Sequence, residues 1–312
     1  MANSYDRRFV PLMSDAGFKA VFRCEGNKEL LIGLLNLLLP EEALVEDIVE
    51  YCDREQEVER ANDKRTVLDL ICKGKDGSHY IVEVQRQHYN DFFERLIFYA
   101  AKRYASQLHT REGYESLRPV YVLNILDHKL KHQDEDMWGQ DNLISHYEYR
   151  ERRTKESIAV PTIIVTFVEM PRFNKKAEEC RSELDCLLYW FRHCGELDMI
   201  PEIISKSTFA SRLANATEFA AMTDVQKNKY DSDMINEMDR EYQMRQNYKM
   251  GLEEGREEGM QVGKEEGRAE GIQVGEENER IKIASNMKEQ GFAAELIAKV
   301  TGLTIEQIAQ LK

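Results

Sequence analysis

The chain has 312 residues, 42% of them hydrophobic and 32% charged, with a formal net charge of -14. That length fits one full core plus an appendage rather than a single compact domain. The acidic balance argues against a protein whose whole surface grips nucleic acid, but Gly251 to Arg280 holds ten acids against four bases and supplies -6 of the total, so a modest basic groove elsewhere is compatible.

No stretch approaches the ~18 consecutive apolar residues of a membrane span, and the N-terminus MANSYDRRFV lacks the apolar core of a signal peptide. The expectation is a soluble, cytoplasmic protein with no membrane partner. Its six cysteines are then reduced thiols. Cys180, Cys186 and Cys194, with His193, lack the spacing of a zinc ribbon or finger and read as helix packing. His128 and His132 lie four apart in a lysine-rich segment that reads as solvated.

In chain order, SDAGFKAVF opens the protein, and Leu30 to Leu39 (LLIGLLNLLL) reads as a buried helix ending at Pro40. A strand is expected within Glu46 to Tyr51, followed by two apolar runs around a Lys-Gly-Lys-Asp-Gly turn. A helix from about Phe92 to Gln107 precedes a strand at Val120 to Leu126 (VYVLNIL). Further strands are expected near Ile144 and at Ile163 to Phe167, and a helix around Leu184 to Phe191 closes this part. Strands mixed with helices in this order predict an α/β or α+β domain over residues 1–200.

Residues 201–250 read as a helical extension. Residues 251–280 carry glycine at every fourth position, Gly251 through Gly275. The charged spacers exclude a membrane GxxxG dimer, and seven glycines cost about 1 kcal/mol each relative to Ala in a helix. A polar linker and a helix that packs closely on another helix both fit, the second leaving room for a homo-oligomer. Residues 281–312 outline a small three-helix unit, with Gly291 as a helix-ending glycine and Thr304 with Gln307 as a capping box. That outline fits a DNA-binding unit and equally a small helical cap.

The turn region, LDLICKGKDGSHYIVEVQ from Leu68 to Gln85, places one acid inside each of two apolar strands. Alternation sets Leu68, Leu70 and Cys72 on one face and Val67, Asp69 and Ile71 on the other. In the second strand Tyr80, Val82 and Val84 oppose Ile81, Glu83 and Gln85. A two-residue turn at Asp76-Gly77 would put the acids on opposite faces. A three-residue loop, Lys75-Asp76-Gly77 with Gly77 left-handed, pairs Leu70 with Val82, Leu68 with Val84 and Asp69 with Glu83. Only that register matches the apolar faces. Two carboxylates side by side repel unless neutralised, and a hard divalent cation such as Mg²⁺ or Mn²⁺ is a natural partner. Alternation equally fits an edge hairpin with solvated acids.

These residues resemble the PD-(D/E)XK nuclease superfamily, and more closely its recombination-promoting nuclease and transposase (Rpn) group. The resemblance runs through Asp15-Ala-Gly-Phe-Lys19 with Phe22, the Leu-rich helix, Asp69, Glu83-Val84-Gln85, Arg95 and Tyr99, Ser106-Gln107, Gly113-Tyr114, VYVLNIL, Glu169 to Phe173, and the glycine-repeat tail. It implies a restriction-endonuclease-like α/β core, a mixed central sheet flanked by helices, with an all-helical C-terminal extension. It also implies metal ligation by Asp69, Glu83 and the Val84 carbonyl, with Asp15 joining the metal shell or orienting Lys19. Gln85 stands where the motif usually has Lys; it can orient a water or phosphate oxygen but cannot carry charge. Lys19, Arg95 and Tyr99 are then candidates for substrate contact. The implied activity is Mg²⁺-dependent (or Mn²⁺-dependent) hydrolysis of DNA phosphodiesters in recombination or mobile-element movement. The alternative is a nuclease-like module without catalysis that binds DNA or a protein.

Overall fold

A computed structural model describes residues 7–52, 69–86, 91–108, 113–131, 142–157 and 162–311. Val67, Leu68 and His132 lie outside the described residues. Strands β1 (Ile48–Tyr51), β2 (Leu70–Gly74), β3 (His79–Gln85), β4 (Val120–Leu126), β5 (Ile144–Tyr147) and β6 (Ile163–Glu169) form one sheet in the order β1-β2-β3-β4-β6-β5. The pairs β1-β2, β2-β3 and β5-β6 are antiparallel, while β3-β4 and β4-β6 are parallel. Continuous apolar runs suit parallel strands covered on both faces, and β4 and β6 are buried along their whole length. The architecture is the α/β mixed sheet with flanking helices that the family resemblance implied.

Helices cover both faces. On one side, α1 (Asp15–Phe22), α2 (Lys28–Leu38), α4 (Glu183–His193) and α6 (Thr208–Thr217) pack their apolar residues with Leu70, Cys72, Tyr80, Val82 and Leu123. Five leucines and Ile32 of α2 are among them, each worth about 1.5–3 kcal/mol when fully buried. On the other side, Phe92, Leu96 and Ala100 of α3 (Phe92–Ala105) pack with Ile71, Ile81, Val122 and Val165. The short α5 (Glu202–Lys206) precedes α6.

Side chains fix several joints. The Ser14 hydroxyl caps α1 by accepting the Gly17 N–H at 3.0 Å, so Asp15 is the first helical residue rather than the cap. Asn36 holds the Val45 segment from both sides, donating to its carbonyl and accepting its N–H at 3.0 and 2.7 Å. Gln107 does the same for Arg118, at 3.0 Å in each direction. The N-terminal segment is stitched to the end of α6: the Val10 N–H donates to the Thr217 carbonyl, and the Phe219 N–H to the Arg8 carbonyl, both at 2.9 Å.

The β2-β3 hairpin adopts the expected register, Leu70 opposite Val82 and Cys72 opposite Tyr80. The Gly74 N–H donates to the Ser78 carbonyl at 2.8 Å and encloses the three-residue loop Lys75-Asp76-Gly77. Gly77 has φ +88°, the left-handed region that such a loop requires and that L side chains rarely adopt.

Helix α7 (Asp224–Glu289) continues without a break through the glycine repeat. Among the described residues, a Cβ at any of Gly251 to Gly275 would meet nothing within 4 Å, so close approach by those residues does not explain these glycines. Two compact units divide the chain, Met1–Met238 and Asp239–Lys312. In the second, the end of α7, α8 (Ala294–Thr301) and α9 (Ile305–Gln310) share a small core of Ala284, Ile297 and Ile308. Gly291 and Gly302 end their helices with φ +81° and +75°, and Thr304 and Gln307 form the expected capping box. The Lys288 ammonium donates to the carbonyls of Ile308, Ala309 and Leu311 at the end of α9. Among the described residues, no helix is long and apolar enough to cross a membrane.

Candidate active site

Asp69 immediately precedes β2, and Glu83 lies near the C-terminal end of β3. Extending the ladder by one pair sets them opposite each other, and two hydrogen bonds to their carboxylates cross between the two segments. The Asp69 N–H donates to Glu83 Oε1 at 3.1 Å, and the Val84 N–H donates to Asp69 Oδ2 at 3.0 Å. Each carboxylate therefore keeps one oxygen beyond that exchange. Burial, and then the adjacent Asp69 charge, push the Glu83 carboxyl well above the ordinary glutamate range.

Helix α1 supplies a cation. Lys19 is buried, with 4% of its side chain exposed, and its Nζ lies 3.2 Å from Asp69 Oδ1. The same ammonium pairs with Asp15 one turn earlier on the helix. Asp15, Lys19, Asp69 and Glu83 thus form a continuous line of charged groups from α1 to β3. Asp15 lies in an ion pair with Lys19.

Gln85 ends β3 on the same face as Glu83, half-buried, and its carbonyl accepts the Asp127 N–H at 2.9 Å. Arg95 and Tyr99 lie one turn apart on α3, both half-buried, with Tyr99 packed against the core on that side of the sheet. The structure therefore gathers Asp15, Lys19, Asp69, Glu83 and Val84 closely, while Arg95 and Tyr99 stand on the helix covering the same sheet face.

Two neighbours escaped the sequence reading. Glu237 Oε1 lies 3.0 Å from Arg86 Nη1, and its Oε2 accepts the Ala16 N–H at 3.4 Å. It joins the start of α1 to the end of β3 from 221 residues away in sequence. A glutamate in a polar helix gives no local signal of such a role. Asn124 lies beside Glu83 in the parallel β3-β4 register. Its signal was present: it is the lone amide in the apolar strand VYVLNIL.

Among the described residues, no group of three or more His, Cys, Asp or Glu side chains is placed to hold a metal ion. A hard cation needs fewer: Mg²⁺ binds through one or two carboxylates and completes its shell with water and phosphate oxygens. Two adjacent carboxyls, one with its pKa raised by burial and by its neighbour's charge, are a donor pair that a divalent cation would relieve. The residues fit such an ion.

Residues 12–247 match the family described as PD-(D/E)XK nuclease family transposase. Residues 277–312 match the C-terminal HTH domain of the Rpn/YhgA-like nuclease family. No curated protein and no solved structure matches the chain. The first match spans well over half of the 312 residues, and the chain belongs to the Rpn-type PD-(D/E)XK nuclease family transposases.

Proposed function

We propose that this protein is a divalent-metal-dependent DNA endonuclease acting in recombination or mobile-element movement. The observation that carries the reading is the side-by-side placement of Asp69 and Glu83, with the Asp69 N–H donating to Glu83 and the Val84 N–H donating to Asp69. In this reading Asp69, Glu83 and the Val84 carbonyl hold Mg²⁺ or Mn²⁺. When bound, the cation supplies Lewis-acid stabilisation of the charge that builds on the scissile phosphate and lowers the pKa of water. The chain's own residues do the rest. Asp15 holds Lys19 in the ion pair, and the Lys19 ammonium balances Asp69 and offers the positive charge that Gln85 lacks. Gln85 orients the attacking water through its amide and neither takes nor gives a proton. Arg95 and Tyr99 contact the DNA strand.

The C-terminal HTH unit supports DNA as the partner. The long exposed helix α7, with its glycine repeat and the exposed Leu252, Met260, Val262, Ile272 and Val274, supports a homo-oligomer formed through the C-terminal helices. Six free thiols fit a reducing, cytoplasmic setting. Gln85 in the motif's lysine position favours a second reading, a catalytically inactive module that binds DNA or protein.

Plasmid cleavage in Mg²⁺ by the wild type, Asp69→Ala and Glu83→Ala proteins separates the two. Nicking by the wild type alone supports the nuclease. Equal nicking by all three points to another site, and none by the wild type favours the binding module.

A further inference from the structure

Strand β4 reads VYVLNIL, and Asn124 is its one amide side chain. The strand is buried throughout, and Asn124 has 0% exposure. Its Nδ2 donates to the Thr166 carbonyl on β6 at 3.4 Å, whereas its Oδ1 meets no donor among the described residues. A main-chain carbonyl only accepts, so this contact fixes which end of the amide is oxygen. Leaving a buried acceptor unpaired is destabilising. A Val or Ile would suit a central parallel strand better.

The position of Asn124 supplies a reason. Residues paired across neighbouring strands project from the same sheet face, with strands about 4.8 Å apart. The β3-β4 register sets Asn124 beside Glu83, and the hydrogen bond from the Asp69 N–H to Glu83 carries the line to Asp69. Asp69, Glu83 and Asn124 make one polar row across three strands, and Phe167 on β6 bounds it. The neighbouring row on that face, Ile71, Ile81, Val122 and Val165, is apolar.

We propose that Asn124 is the neutral oxygen donor of the cation site, its Oδ1 facing the hydration shell of the divalent ion that Asp69 and Glu83 hold. The proposal rests on the metal-site reading above. A third carboxylate in this row would add like-charge repulsion, whereas an amide adds an oxygen without charge. Asn124 is thus a positioning residue, and its unpaired oxygen in the metal-free chain is an acceptor kept for the loaded state.

The test titrates Mg²⁺ and Mn²⁺ into the full-length wild type, Asn124→Val, Asn124→Asp and Glu83→Gln proteins by calorimetry, with thermal unfolding before and after metal. Asn124→Val is expected to melt no lower than the wild type without metal, and to bind Mg²⁺ at least about tenfold more weakly. Asn124→Asp keeps an oxygen and retains binding. If Asn124→Val melts lower without metal and binds with wild-type affinity, Asn124 is structural and the proposal falls. Wild-type binding that is lost in Glu83→Gln but intact in Asn124→Val removes Asn124 and leaves the metal site standing. No binding by the wild type removes both.

Discussion

Lys19 Nζ lies 3.2 Å from Asp69 Oδ1 and also pairs with Asp15, so one buried ammonium answers two carboxylates. A buried charge is costly unless paired and hydrogen-bonded, and removing one partner leaves the others uncompensated. Lys19→Met is expected to lower the stability of the metal-free protein by about 2–3 kcal/mol, below the range for fully buried pairs because both acids keep some contact with water. Without the competing ammonium, Mg²⁺ should raise the melting temperature of Lys19→Met more than that of the wild type, while DNA cleavage falls. Thermal unfolding with and without Mg²⁺, beside a nicking assay, checks both.

Glu83 sets a pH dependence in the metal-free state. Its carboxyl is held above the ordinary glutamate value of 4.5, by burial first and the Asp69 charge second. The folded chain then binds more protons than the unfolded chain above that value, so this group makes stability fall as pH rises from about 4.5 towards its folded pKa. Glu83→Gln should flatten that part of the stability profile. Metal binding to the wild type should release a proton and tighten as pH rises, which calorimetry in buffers of different ionisation enthalpy will read.

His79 acts with the opposite sign. Burial, with Arg103 and Lys73 nearby, lowers its pKa from 6.5 to about 4. The unfolded chain therefore binds the extra proton between those values, and the neutral imidazole's contribution is complete above about 6.5 and lost as pH falls to about 4. At ~1.4 kcal/mol per unit of pKa the loss is at most about 3 kcal/mol. Urea unfolding of His79→Asn between pH 4 and 7 should show a shallower acid limb than the wild type.

The glycines of α7 make a separate prediction. Since a Cβ at these positions meets nothing within 4 Å among the described residues, Gly259→Ala, Gly263→Ala and Gly267→Ala should each stabilise the helix by about 0.5–1 kcal/mol. Circular dichroism should show higher helicity and a later melting transition. A simultaneous drop in self-association by sedimentation would place a partner helix against the glycine stripe.

Legibility followed the range of the interaction. The Asp69–Glu83 register was readable because loop length and alternation are local, and one combination alone matched the apolar faces on both strands. The strand at Val120 to Leu126 was readable because a central parallel strand is a simple apolar run. The unbroken course of α7 was not, because glycine at every fourth residue weakens a helix as readily as it prepares one for packing. The Lys19–Asp69 pair spans 50 residues and was not legible: the family resemblance related Lys19 to Asp15, and the contact with Asp69 depends on the tertiary fold. Glu237 left no trace, since nothing near it in sequence hints at α1. Gln107 and Arg172, carried in the resemblance, brace the fold: Gln107 clasps Arg118, and Arg172 pairs with the buried Glu169 at 2.9 Å.

The stitching of residues 8–10 to 217–219 has a consequence during synthesis. The carboxylate hairpin is local, its acids 14 residues apart, so both acids leave the ribosome within one short segment. The seat of α1 needs more than two hundred residues, since the segment leading into that helix is anchored by the end of α6. The ribosome therefore finishes Asp69 and Glu83 long before it makes the residues that anchor the segment leading to Lys19. Translation order separates the making of the acid pair from its arming.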